Sequence, residues 1–140
     1  VLVKALCPPM QSTDRFFELC SADLYLNASN IICENYNIPP PTVLTYEQAK
    51  KYTANERLQE VVEEFEKSPF KNTYSPKYEI IILGQPSPYS LLHELGHHLY
   101  KHHILTEKEL PKEELFKIAK LPKGLIEEVV VRHWENDCFY

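Results

Sequence analysis

Apolar positions along this chain mostly recur at helical spacing, and in two places they gather into short runs. Between residues 12 and 36, Phe17, Cys20, Leu24 and Ile31 share one helical face, and Ser12 or Thr13 can cap it. This predicts a long N-terminal helix. It must end before Pro39-Pro40-Pro41, because proline has no N–H and disfavours helix at the residue before it. Thr42-Val-Leu-Thr45 is a short strand candidate. Thr45-Tyr-Glu-Gln48 has capping-box form and opens a second helical region reaching about Lys67. Leu58, Val61, Val62 and Phe65 make one stripe on it, and residues 53–55 interrupt it. Ser68 to Pro76 reads as turn, and Tyr78-Glu-Ile-Ile-Ile-Leu83 as the best strand. Ser87 before Pro88 pairs an N-cap with a proline at the first helical position, which predicts a helix to about His102. Two more helices are expected, from about Pro111 to Lys120 and from about Gly124 to Phe139. The order α, β, α, β, α, α, α reads as an α+β fold with a small, mostly antiparallel sheet.

Composition narrows this picture modestly. A chain of 140 residues suits one domain over 1–140. No apolar run approaches the roughly 18 residues of a membrane span. The apolar start, Val1 to Leu6, is too short for a signal peptide, so a cytoplasmic protein is expected. A net charge of −5, with lysines and glutamates interspersed, argues against a direct nucleic-acid partner, and without a spanning apolar run no membrane partner is expected. Cys7, Cys20, Cys33 and Cys138 form no CxxC pair and read as buried thiols, with a Cys7–Cys20 or Cys20–Cys33 disulfide as the other option.

Candidate chemistry sits in Ser90-Leu-Leu-His93-Glu94-Leu-Gly-His97-His98-Leu-Tyr100, which contains HExxH. Residues i and i+4 share a helical face, so His93 and His97 can both reach one metal ion. Glu94 follows the first of them and can take a proton from water as general base. Leu92, Leu95 and Leu99 form the core-facing stripe, and Gly96 inside a helix implies close approach of another backbone. His98, His102 and His103 fall off the His93/His97 face and read as solvated surface histidines.

A zinc site of this kind needs a third protein ligand. The last helix offers Glu127, Glu128, His133, Glu135 and Asp137. Glu128, Arg132 and Glu135 share a face that reads as solvated. Ile126, Val129, Val130, His133 and Asp137 share one that reads as buried. A histidine and an aspartate on an apolar face need a reason to be there. The functional reason is that His133 binds the metal while Asp137 accepts from the far nitrogen of a ligand imidazole. A satisfied His–Asp pair is the plain alternative, and Glu135 and Glu128 are the competing ligands. Tyr89 and Tyr100 are near enough to the active face to assist.

The strand Tyr78 to Leu83 and the segment Leu-Leu-His-Glu-Leu-Gly-His-His-Leu resemble the strand and active helix of the ImmA/IrrE family of zincin metallopeptidases. His133-Trp-Glu-Asn-Asp137-Cys-Phe139 is similar to that family's E-x-E-A-N/D-x-F-A segment. In the related gluzincins the first glutamate of an ExxxD pattern binds zinc. The resemblance puts His133 at that position, with Asp137 at the aspartate and Glu135 at the second glutamate. The compact size is similar to that of the minigluzincins. The resemblance implies a zincin-like domain and a zinc metallopeptidase acting selectively on a peptide or protein substrate. The alternative is a non-hydrolytic regulatory or structural zinc protein that binds a protein partner. Coordination separates the two, since a catalytic ion keeps an open position and a structural one is closed by protein.

Overall fold

The computed structural model describes residues 22–139 except 53, 69 and 70. The described residues form an α+β fold of six helices and a three-stranded sheet. In chain order these are α1 (Ala22–Asn35), β1 (Thr42–Thr45), α2 (Tyr46–Ala49), α3 (Glu56–Lys67), β2 (Asn72–Ser75), β3 (Ile80–Leu83), α4 (Pro88–Lys101), α5 (Lys112–Ile118) and α6 (Lys123–Phe139). A 3-10 turn at Glu107–Glu109 links α4 to α5.

Helix α1 ends where the prolines require. Asn37 takes a positive φ of 55°, and the Ile38 and Asn37 amides bond back to the carbonyls of Cys33 and Glu34. Such a left-handed residue closes the last turn before the chain leaves extended. Tyr25, Ile32 and Cys33 are buried, whereas Ile31 is exposed, so the buried face is rotated from the expected stripe. Phe17 and Cys20, with the proposed caps and the Cys7–Cys20 and Cys20–Cys33 pairings, fall on residues outside the description. Cys33 and Cys138 are buried thiols.

The sheet is mixed rather than antiparallel. Its order is β1-β3-β2, with β1 parallel to β3 and β2 antiparallel to it. Strand β2 lies in the stretch expected to be turn. Asn-Thr-Tyr-Ser has no apolar alternation, because an edge strand need not be buried on both faces. The central Ile80-Ile-Ile-Leu83 is covered on both sides, which suits an unbroken apolar run. Ile81 and Leu83 face a core shared with Tyr25, Leu91, Leu95, Leu99, Val130 and Trp134. Ile82 faces the other way, against Ala49, Leu58, Val61 and Val62. The Thr45–Gln48 capping box is present in both directions, and Asn55 caps α3. No helix among the described residues is long and apolar enough to cross a membrane.

Candidate metal centre

Helix α4 starts where Ser87 accepts from the Ser90 amide at 3.0 Å, with Pro88 in the first turn. That start sets the phase of the HExxH segment. Leu91, Leu92, Leu95 and Leu99 enter the core, and His93 and His97 turn outward with ring centroids 5.1 Å apart. They line a cleft of about 700 Å³ between α4, α6 and the β2 wall.

Helix α6 packs against α4 through Val130, Val131 and Trp134. Gly96 makes this contact close. A Cβ there would lie 2.7 Å from Val131 Cγ1 and 3.3 Å from Trp134 Cε3. The neighbour that requires glycine is therefore a pair of side chains, not a second backbone.

This packing brings three glutamates of α6 to the two imidazoles. Glu128 lies across both Nε2 atoms, with Oε1 3.0 Å from His97 and Oε2 3.4 Å from His93. The opposite ring nitrogens are held by the other two. Glu135 Oε2 is 3.1 Å from His93 Nδ1, and Glu127 Oε1 is 3.3 Å from His97 Nδ1. His93, His97 and Glu128 form a cluster whose donor atoms all lie within 4.8 Å of one another.

The expected third ligand His133 is not part of this cluster. Its Nε2 is 3.8 Å from Asp137 Oδ2, and Asp137 is more than half exposed, so the two form a surface pair one turn apart. Asp137 accordingly supports neither His93 nor His97. The Glu128 and Glu135 face, read as solvated, is the one that meets α4. At about 100° per residue, Glu128 and Glu135 are only about 20° apart around the helix. Val130, Val131, Trp134 and Cys138 make the buried face, and His133 falls on its far flank.

Glu94 is 8% exposed and lines the cleft beside the histidines. Burial pushes its carboxyl above the ordinary value of 4.5, and the two imidazoles pull it back only in part. His93 is raised, chiefly by its hydrogen bond to Glu135, which outweighs burial. Of the candidate tyrosines, Tyr89 lines the cleft and Tyr100 does not; Tyr100 donates to Glu107 Oε1 at 3.4 Å. Tyr74 of β2, which no sequence pattern singled out, also lines it.

His98 is fully buried and His102 is bonded to Glu79, so neither is a plain solvated histidine; His103 is exposed at a positive φ of 61° that ends α4. Helical arithmetic carried this signal. His98 lies about 20° from Leu91 around the helix, inside the apolar sector. Burial also holds its imidazole below the ordinary value, which favours the neutral ring.

The cluster fits a metal ion by donor chemistry. Two imidazole nitrogens and a carboxylate are a ligand set used by catalytic zinc. Glu127 and Glu135 stand where an acceptor fixes the far N–H of a ligand histidine. Four carboxylates, Glu94, Glu127, Glu128 and Glu135, line the cleft with one arginine, Arg132, 3.8 Å from Glu128, and a divalent cation would offset their remaining repulsion. Comparison with protein-family models, with curated proteins and with solved structures found no match to this chain.

Proposed function

We propose that this chain is a zinc-dependent metallopeptidase in which His93, His97 and Glu128 hold the ion and Glu94 is the general base. The observation that carries the reading is the convergence of both Nε2 atoms on the Glu128 carboxylate beside a buried Glu94. Glu135 accepts the His93 Nδ1 proton and Glu127 Oε1 lies 3.3 Å from His97 Nδ1, an arrangement that leaves each Nε2 with a lone pair for the ion. Bound zinc would supply Lewis acidity toward water and a carbonyl oxygen.

Glu94 does the proton work. Burial strips water from its carboxylate and raises its affinity for a proton. It takes that proton from a water attacking the peptide carbonyl and passes it to the leaving amine. The opposite wall of the cleft, Lys71 to Tyr74, is the edge strand and its flank. An extended peptide laid along that edge would gain main-chain hydrogen bonds, which supports a peptide as substrate.

The test is cleavage of a mixed peptide library by protein stripped with a chelator and then reloaded with zinc. Cleavage should need both zinc and Glu94. Zinc-loaded, folded protein that leaves every peptide intact would favour the non-hydrolytic zinc protein instead. Protein that takes up no zinc at the cleft would defeat both readings.

A further inference from the structure

Helix α4 carries a second pair of histidines four residues apart, His98 and His102, rotated about 140° from the first pair. Like the first pair, it meets a glutamate. Glu79 sits immediately before β3 with a positive φ of 54°, a conformation that a non-glycine residue adopts only where its surroundings enforce it. Its Oε2 lies 2.6 Å from His102 Nε2 and 3.4 Å from His98 Nδ1. Its other oxygen is 3.7 Å from Lys101 Nζ. One carboxylate oxygen is therefore held by a cation while the other faces both rings.

The state of His98 follows from its neighbours. Its Nε2 is 2.7 Å from the Pro39 carbonyl, which can only accept, so that nitrogen carries the proton. A neutral ring then presents a lone pair at Nδ1, toward Glu79 Oε2 and the Tyr74 hydroxyl, 2.7 Å away. A histidine whose far N–H is fixed by a backbone carbonyl is the arrangement found behind metal-binding imidazoles.

We propose that Glu79, His98 and His102 form a second binding site, for a zinc-class divalent cation, separate from the cleft. The three donor atoms lie within 4.8 Å of one another. Donors about 2.1 Å from a tetrahedral zinc ion sit about 3.4 Å apart, so shifts of an ångström or so bring these three onto it. The Tyr74 hydroxyl, 2.7 Å from His98 Nδ1, must release that nitrogen for the ion to bind. His102 and Glu79 are partly exposed, which gives the ion a path in, while His98 anchors it from inside. The ion would pin the end of α4 to the start of β3. Its role is structural, because Glu79, His98 and His102 are not among the described residues that line the cleft beside Glu94.

Zinc titration against a competing chelator tests this, with circular dichroism to confirm folding. Wild-type protein should bind two equivalents. The His93→Ala/His97→Ala variant should keep one, with a raised melting temperature on zinc addition. Adding His102→Gln to that variant should remove the remaining equivalent and the thermal shift. Glu79→Gln in the same background, which keeps side-chain volume, should weaken binding at least tenfold. A folded His93→Ala/His97→Ala variant that binds no zinc would overturn the proposal, as would one whose zinc survives both His102→Gln and Glu79→Gln. If wild type binds a single ion that persists without His93 and His97 but not without His102, the second site stands and the cleft assignment fails.

Discussion

Glu135 Oε2 lies 3.1 Å from His93 Nδ1, although the two residues are 42 positions apart in the chain. The contact joins α6 to α4 and orients the His93 ring, leaving its Nε2 toward Glu128. Glu127 Oε1 lies 3.3 Å from His97 Nδ1 as an ion-pair contact. Each imidazole of the cluster thus has a carboxylate near its Nδ1, and Glu128 lies near both Nε2 atoms.

The first prediction follows from this division of labour. Glu128→Ala should weaken zinc binding at the cleft by at least about tenfold, while His133→Ala leaves it unchanged. Chelator competition in a His102→Gln background isolates that ion. The opposite ranking would return the ligand role to His133.

Glu135→Ala should act through His93 rather than on the ion. Loss of such a supporting acceptor typically costs about 10–100-fold in metal affinity. In metal-free protein it should also lower the His93 pKa, because the Glu135 hydrogen bond is the main cause of its elevation. The wild-type pair stabilises the metal-free fold fully below the ordinary histidine value of 6.5, and that contribution fades as pH rises through the elevated one. Histidine NMR titrations of both proteins read the shift directly. An unchanged His93 titration would show that Glu135 does not hold the ring.

Glu94→Gln should retain zinc and lose about 10²–10⁴-fold in hydrolysis, since glutamine cannot accept the proton. The same change should stabilise the metal-free protein at neutral pH. Folding raises the Glu94 pKa, so the native state binds the extra proton and the carboxylate becomes a growing cost as pH climbs from 4.5 through the raised value. Urea melts at pH 4 and pH 7.5 should show a difference only at the higher pH. Equal stability at both would mean that Glu94 is not the desolvated group described.

Gly96→Ala should destabilise the fold despite alanine's advantage of about 1 kcal/mol in a helix. The added methyl would meet Val131 Cγ1 at 2.7 Å, and overpacking of this kind costs about 1–3 kcal/mol. Relief of the clash requires α6 to move away from α4, carrying Glu128 with it. A shifted denaturation midpoint with weaker zinc binding is the expected pair of effects; a more stable variant would contradict the packing.

Local chemistry in the sequence determined most of the elements and half of the site. Ser87 and Pro88 start α4 where a cap and a proline dictate, and the i, i+4 geometry puts His93 and His97 on one face with no help from the rest of the fold. Polar strand β2 is not legible in the sequence because its strongest constraint is the backbone pairing offered by β3. The choice among His133, Glu128 and Glu135 stayed open for a related reason. Val129, Val130 and Val131 in a row span about 200° of α6, so the apolar pattern does not fix which way that helix turns. Val131 and Trp134 over Gly96 decide it, and they carry Glu128 and Glu135 into the cleft and His133 away from it. A helix's own spacing sets which residues share a face. Which face meets the site depends on the shape of the neighbour it packs against, and only the tertiary structure contains that.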